Sequence, residues 1–142
     1  MASEAVQGQV TLLTSIPGIG LLTASILLVE TLQLSRMESS DQWAAYAGLS
    51  PVPRQSGSFT GRTHISKIGN GRLRRAFYLC ALTASRMKNA FGNFYRHLIA
   101  QGKPKKVALV ALARKLLRVA FAVLKSGQKF DPSYRRQPPT AT

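Results

Sequence analysis

Acidic residues are scarce in this sequence, and their distribution is uneven. Five Asp and Glu stand against twenty Lys and Arg, which gives a formal net charge of +15 on 142 residues. Between Asp41 and Asp131 there is no acidic residue, although seventeen of the Lys and Arg fall there. A fold with so little internal countercharge repels itself unless a polyanion is its usual partner. The composition favours nucleic acid over an anionic membrane, because the charge is spread through the chain and not confined to one amphipathic helix.

The scarcity of carboxylates also limits the chemistry that the chain can perform alone. A two-metal nuclease site needs clustered carboxylates, and only Glu30, Glu38 and Asp41 lie near the middle of the predicted fold. The sequence contains no P-loop, no zinc-ligand set and no dinucleotide-binding fingerprint. We therefore predict no metal and no organic cofactor bound to this chain.

Cysteine and long apolar runs are scarce as well. The single cysteine, Cys80, excludes an intrachain disulfide and is typical of a reducing cytoplasm, and its apolar neighbours favour burial. No apolar run approaches the roughly 18 residues of a membrane-spanning helix, and the chain start, with Glu4, lacks the basic region of a signal peptide. We expect a soluble cytoplasmic protein.

What the sequence does contain is a helical spacing of apolar residues. Hydrophobic residues make up 45% of the chain, enough for one domain with a core. The spacing predicts helices over about 2–13, 21–32, 41–47, 71–84, 89–102 and 104–124. Ser39 or Ser40 is a suitable N-cap for the third of these helices, and Gly48 suits the position after its end. We predict a mainly α domain over residues 1–129 and a loose, Pro-rich tail over 130–142.

A glycine-containing turn separates the first two predicted helices. Ile16-Pro17-Gly18-Ile19-Gly20 matches the helix-hairpin-helix pattern, in which the glycines allow a tight turn. The free N–H groups that begin the second helix can then hold a DNA phosphate. Gly18 and Gly20 are therefore candidate nucleic-acid contacts. An ordinary turn between packed helices is the alternative.

A long segment over 49–70 breaks the helical spacing and is rich in glycine and proline. Loops of this length inside a compact domain are usually functional, and a short β-hairpin could form around Phe59 to Arg62. Six Lys and Arg and one His fall between Arg54 and Arg75, without an acid. Such cations can clamp phosphates. The candidate contacts of this region are Arg54, Arg62, His64, Lys67, Arg72, Arg74 and Arg75. Arg72 and Arg75 share one helix face near the predicted helix start, where the helix dipole also favours an anion.

The last predicted helix adds a basic strip. Arg114, Lys115, Arg118 and Lys125 fall within about 100° of its circumference, and Arg114 and Arg118 complete the candidate phosphate contacts.

Several hydroxyl groups in the long segment are candidate nucleophiles. Ser56 is flanked by a glycine and surrounded by cations that would stabilise charge developing on a phosphate. Ser50, Ser58, Thr60, Thr63 and Ser66 compete with it on the residues alone. His64 could accept a proton, although a solvated loop histidine is the more common role. Tyrosines can also attack phosphate, but helical spacing favours core packing for Tyr46, Tyr78 and Tyr95. Tyr134 is the exception, because it lies in the predicted loose tail.

The order of these motifs resembles that of a known family. The motifs are Ile16-Pro17-Gly18-Ile19-Gly20, Trp43-Ala44-Ala45-Tyr46-Ala47-Gly48-Leu49-Ser50-Pro51, Gln55-Ser56-Gly57 and Ile65-Ser66-Lys67-Ile68-Gly69-Asn70-Gly71-Arg72-Leu73-Arg74-Arg75. Over about residues 10–125 the chain resembles the C-terminal transposase domain of insertion-sequence transposases. Those transposases carry an N-terminal RuvC-like domain with four acidic residues.

The resemblance implies a catalytic role for one residue and several partners. Ser56 would attack a DNA phosphodiester and form a phosphoserine intermediate before strand exchange. Family members act as oligomers, a RuvC-like domain of one subunit completes the active site with the serine of another, and a structured bridge RNA selects the DNA. The sequence has no counterpart of the RuvC-like domain, where Mg²⁺ is expected, so we expect that domain to be supplied in trans or by the rest of a longer protein. The setting would be the nucleoid of a prokaryote.

Two other classes of function fit the same composition. The chain could be a non-catalytic helix-hairpin-helix module that binds DNA or RNA through phosphates alone. It could also be a structural protein that packs against RNA or a ribonucleoprotein.

Overall fold

The computed structural model describes residues 2–30, 38–49 and 67–131, and side chains from residue 4 and, in the last range, from residue 71. These parts are helical and contain no strand, which confirms the mainly α prediction. The β-hairpin predicted around Phe59 to Arg62 and the tail from Pro132 lie outside the described residues. The helices are α1 (Ala2–Thr14), α2 (Leu21–Val29), α3 (Ser40–Tyr46), α4 (Lys67–Ala84), α5 (Ala90–Ala100) and α6 (Lys105–Ser126).

Helix α6 is the centre of the fold, and it contacts α1, α3, α4 and α5. Its buried residues recur at intervals of three and four along several turns, so that more than one face is covered. They are Ala108, Leu109, Leu112, Ala113, Leu116, Leu117, Ala120 and Val123. Alanines among the leucines let neighbouring helices approach closely, and the result is one continuous core.

Helix α4 connects this core to the pair formed by α1 and α2. Leu73, Phe77 and Ala81 are fully buried on its inner side. α2 packs on α4, where Thr23 Oγ1 and Cys80 Sγ share a hydrogen bond of 3.2 Å. Cys80 is buried, as predicted.

Helix α3 begins and ends where its local sequence predicts. Ser39 is the N-cap: its hydroxyl accepts a hydrogen bond from the Gln42 N–H at 3.2 Å, and the Gln42 side chain bonds back to the Ser39 N–H. Gly48 follows the end of the helix with a φ of 75°. The N–H groups of Gly48 and Leu49 donate to the carbonyls of Ala45 and Ala44, which is a Schellman motif.

Helix α5 is set against the turn that follows α4. Asn89 caps α5 by accepting hydrogen bonds from the N–H groups of Phe91 and Gly92. A Cβ on Gly92 would collide with the Met87 carbonyl oxygen, so only glycine permits this close packing. Arg96 also donates to the Met87 carbonyl, at 3.0 Å. The turn at 85–89 is therefore held by both glycine packing and arginine hydrogen bonds.

Two predicted helix boundaries differ from the structure by three or four residues, and one residue of the predicted tail is packed. α4 begins at Lys67 and not at Gly71, so Gly69-Asn70-Gly71 is helical and the predicted loop is shorter at this end. α2 ends at Val29, with Glu30 as its C-cap, and not at Leu32. Phe130, assigned to the loose tail, packs on the Phe91 ring with centroids 5.6 Å apart, and its N–H donates to Ser15 Oγ at 2.9 Å. These contacts make Phe130 part of the packed domain.

Candidate nucleic-acid interface

The turn between α1 and α2 is tight and lies against α4. Gly18 has a φ of 95°, and a Cβ there would lie 3.2 Å from Ala84 Cβ and 3.4 Å from the Cys80 carbonyl oxygen. Gly20 is the N-cap of α2 and supplies no side-chain cap. Among the described residues, the N–H groups of Leu21 and Leu22 have no acceptor. Both side chains are exposed as well, at 64% and 73%, so an anion has access to these donors.

Two arginines converge on the residues that end α3. Arg114 Nη1, from α6, donates to the Leu49 carbonyl at 2.9 Å in a partly buried position. Arg74, from α4, lies against Gly48 so closely that a Cβ on this glycine would collide with its guanidinium. Burial, and to a lesser degree the charge of Arg118, lowers the pKa of Arg114 from its ordinary value. The chain that leads into residues 50–66 is therefore fixed at Leu49, which is itself buried.

The predicted basic strip of α6 has partners within the fold. Arg118 Nη2 forms an ion pair of 2.7 Å with Asp41 Oδ1. Lys115 Nζ lies 4.9 Å from the centroid of the Phe94 ring, and Lys125 Nζ lies 5.7 Å from that of Phe121. With Arg114 on Leu49, each member of the strip has a contact inside the molecule. Phosphate binding by Arg114 and Arg118 stays a prediction.

The arginines at 72–75 do not share one surface. Arg72 and Arg75 are exposed on the outer face of α4, whereas Arg74 lies at Gly48. Because α4 starts at Lys67, Arg72 and Arg75 lie beyond its first turn. The predicted help of the helix dipole at these two residues was therefore wrong, since the effect fades within one turn.

The remaining predicted residues lie outside what the structure describes. Arg54, Ser56, Arg62 and His64 fall in 50–66, and Lys67 is the first residue of α4, with a side chain outside the described set. The predicted roles of these five residues stay predictions.

The exposed cations of the turn after α4 were not singled out by the sequence analysis. Arg86 and Lys88 lie in the turn after α4, on the surface. Arg86 continues the spacing of Arg72 and Arg75 along the chain, so the repeat of three and four residues was the signal that could have found it.

The described residues contain no group of three His, Cys, Asp or Glu that could hold a metal ion. None of the helices in this part of the chain is long and apolar enough to cross a membrane.

Comparison with known proteins decides the family. Residues 10–96, from α1 into α5, match the model of the transposase IS116/IS110/IS902 family. The chain belongs to this family. The match includes the α1–α2 turn, the Gly48–Leu49 junction and the N-terminal part of α4.

Several curated proteins from bacteria match most of the chain. The chain is 35% identical over 119 residues to the insertion element IS110 uncharacterized 43.6 kDa protein of Streptomyces coelicolor, a match of 84% of this chain and 29% of that protein. It is 37% identical over 123 residues to the pilin gene-inverting protein of Moraxella bovis, with 85% and 38% covered. It is 33% identical over 123 residues to the insertion element IS900 uncharacterized 42 kDa protein of Mycobacterium paratuberculosis, with 86% and 31% covered. The chain thus spans about a third of the length of these relatives.

Proposed function

We propose that this chain is the DNA-binding, serine-bearing domain of an insertion-sequence transposase, and that Ser56 is its nucleophile. The observation that carries the proposal is the family match through Gln55-Ser56-Gly57. The Arg114 contact at Leu49 supports it, because this contact fixes the backbone seven residues before Ser56. The pilin gene-inverting relative also supports it, because inversion of a gene requires DNA strands to be cut and rejoined.

The proposed reaction exchanges one phosphodiester for another. The Ser56 hydroxyl gives up its proton, to His64 or to water, and its Oγ bonds to the phosphorus. The bond from phosphorus to one deoxyribose oxygen breaks, and that oxygen takes up a proton. A deoxyribose hydroxyl of the second strand then loses its proton and its oxygen bonds to the phosphorus. The bond from phosphorus to Ser56 Oγ breaks, and this oxygen takes up a proton. Arginines such as Arg54 and Arg62 would stabilise the charge on the phosphoryl oxygens.

The proposal assigns any metal-dependent step to another domain. The whole chain has five acidic residues, and its described part has no metal-binding cluster. These residues do not fit a two-Mg²⁺ site, so no step here passes through a metal. A RuvC-like domain in trans or in the full-length protein, a guide RNA, a homo-oligomer and a place in the nucleoid belong to the proposal.

Covalent trapping tests the role of Ser56. The chain is mixed with nicked suicide DNA together with the RuvC-like domain of a full-length relative, and a serine-linked DNA adduct is sought by gel shift and peptide mass. We expect the adduct with the natural chain and none with Ser56→Ala, while Ser58→Ala serves as the matched control and retains it. An adduct of equal yield with Ser56→Ala would refute the assignment.

A non-catalytic role is the second candidate, and the α1–α2 turn favours it. The N–H groups of Leu21 and Leu22, which have no acceptor among the residues that the structure describes, can hold a phosphate without any nucleophile. This hypothesis predicts that Ser56→Ala retains both DNA binding and transposition in cells. Loss of transposition with retained binding contradicts it.

A further inference from the structure

The outer face of α4 is an exposed surface that has no role in the reaction proposed above. Arg72, Arg75, Leu79 and Thr83 are all exposed on this helix. They are spaced by three, four and four residues, so they lie within an arc of roughly 80°. The core residues of α4, among them Phe77, lie on the opposite side. We call the surface formed by these four residues and Arg86 the α4 face.

The end of the α4 face is fixed by the turn that follows the helix. The backbone continues to wind beyond Ala84, because the N–H groups of Ser85 and Arg86 donate to the carbonyls of Ala81 and Thr83 at 2.8 and 3.2 Å. Arg86 therefore lies one turn beyond Thr83. The distance from Arg72 to Arg86 along the axis is about 21 Å, at about 1.5 Å per residue.

The α4 face has cations at both ends and neutral side chains in the middle. Leu79 is 55% exposed between Arg75 and Arg86, and Thr83 adds a hydroxyl and a methyl group. No acidic residue occurs on α4 or in the neighbouring sequence from 42 to 130. The face is therefore complementary to a partner that is anionic at its edges and less charged in its centre.

The major groove of duplex DNA has this arrangement. It is about 12 Å wide and admits an α-helix, with phosphates on both sides and base edges on its floor. A face of about 21 Å lets the arginines at its two ends reach the phosphates of the two strands. Leucine and threonine between them can contact thymine methyl groups and base edges. The major groove of A-form RNA is too deep and narrow for such reading.

We propose that α4 lies in the major groove of double-stranded DNA, with Arg72, Arg75 and Arg86 on phosphates and with Leu79 and Thr83 on base edges. This inference rests on the proposed DNA-binding function, but it does not depend on Ser56 as a nucleophile.

Binding of the whole chain to a duplex of about 30 mixed-sequence base pairs, measured by fluorescence anisotropy over a salt series, tests the proposal. Arg86→Ala should make the negative slope of log K against log salt less steep by about 0.9, the value for one phosphate neutralised by one cation. Leu79→Ser should weaken binding roughly fivefold with the slope unchanged, because it removes an apolar contact and no charge. Both side chains are exposed, so far-UV circular dichroism should show an unchanged fold.

Matched controls change the same chemistry elsewhere on the surface. Lys129→Ala removes one exposed cation beyond α6, and Val6→Ser removes one exposed apolar group on α1. Both should bind as the natural chain does. Methylation of guanine N7, which lies in the major groove, should weaken binding, and netropsin, which fills the minor groove, should not.

Several results would overturn the proposal. One is that Leu79→Ser and Arg86→Ala both bind the duplex as tightly as the natural chain, and another is that Lys129→Ala reduces the steepness of the salt dependence as much as Arg86→Ala does. The others are competition by netropsin and displacement of the duplex by an RNA hairpin at equal salt. The Ser56 adduct is measured separately on the same proteins. If Ser56 is not the nucleophile, the binding results for α4 still hold. If the α4 variants bind as the natural chain does, the adduct result for Ser56 still holds.

Discussion

Cys80 and Tyr46 are acids whose ionisation the fold opposes. Burial is the main cause that raises the pKa of the Cys80 thiol above its ordinary value of 9.0, and hydrogen bonds from Thr23 and the Gly20 backbone lower it by less. Burial also raises the pKa of Tyr46 above 10.0, and its hydrogen bond to the Glu30 carboxylate, 2.8 Å long, adds to the effect. Both groups therefore hold their protons more tightly in the folded chain than in the unfolded chain.

This difference predicts a loss of stability at alkaline pH. As the pH rises above about 9, the unfolded chain releases the Cys80 proton first, so it binds fewer protons than the folded chain and the free energy of unfolding falls. Below that pH the two groups contribute no slope. Urea unfolding between about pH 7 and 10.5 should show this fall in the free energy of unfolding. For Cys80→Ala, the fall from its own value at about pH 7 should be smaller than for the natural chain. An equal slope in Cys80→Ala, with Tyr46→Phe as the second comparison, would show that other groups are responsible.

At the scale of the helices, local sequence signals predict the helix ends correctly where the caps are formed by residues that are close in the sequence. Both ends of α3 were predicted, because Ser39, Gln42 and Gly48 form its caps with neighbours in the sequence. The start of α4 was missed because Gly69 was counted among the glycines of the preceding loop. A glycine costs a helix about 1 kcal/mol, and burial of Leu73 and Phe77 on the same helix outweighs this cost.

The α6 strip shows what periodicity alone cannot predict. A helical wheel placed Arg114 and Arg118 on one polar side, but it does not reveal what lies opposite. Their partners, Leu49 and Asp41, are 65 and 77 residues away in the sequence. For the candidate site, the α1–α2 turn and the arginines of α4 were predicted from the sequence. The α4 face could be defined only from the structure, which shows which side of the helix its neighbours leave exposed.

These two arginines should contribute unequally to the docking of α3 on α6. Arg114→Ala removes the partner of a carbonyl on a buried residue, which costs about 1–3 kcal/mol. Arg118→Ala breaks an exposed ion pair, with side chains 48% and 78% exposed, and such pairs contribute about 0–1 kcal/mol. Urea unfolding should therefore place Arg114→Ala well below Arg118→Ala in stability.

The same two variants separate folding from phosphate binding. Each removes one positive charge, so if either arginine binds a phosphate, its replacement should lower the salt slope of DNA binding by about 0.9. Equal stabilities of the two variants would contradict the anchoring role of Arg114. An unchanged slope in both would show that these two arginines serve the fold alone.

At the scale of the whole molecule, charge is separated along the chain. The first 35 residues contain no Lys or Arg, whereas seventeen lie between Asp41 and Asp131. Most of these cations therefore lie in helices α4 to α6 and in the segment before α4, and no acidic residue lies among them. Their mutual repulsion favours the unfolded chain, in which the charges move apart.

Salt and polyanions should both relieve this repulsion, but in ways that can be told apart. Thermal unfolding at about 20 mM and about 300 mM NaCl should give the higher Tm at high salt, because the Debye length falls severalfold. At the lower salt, dextran sulfate at about 100 times its Kd should stabilise the fold by about 2.7 kcal/mol through binding to the folded state, whereas uncharged dextran should not. At the higher salt this gain should shrink, because binding through released counterions weakens. A Tm that falls with salt, or dextran sulfate that acts equally at both concentrations, would mean that the cations are balanced within the fold and that no polyanion is needed to hold it together.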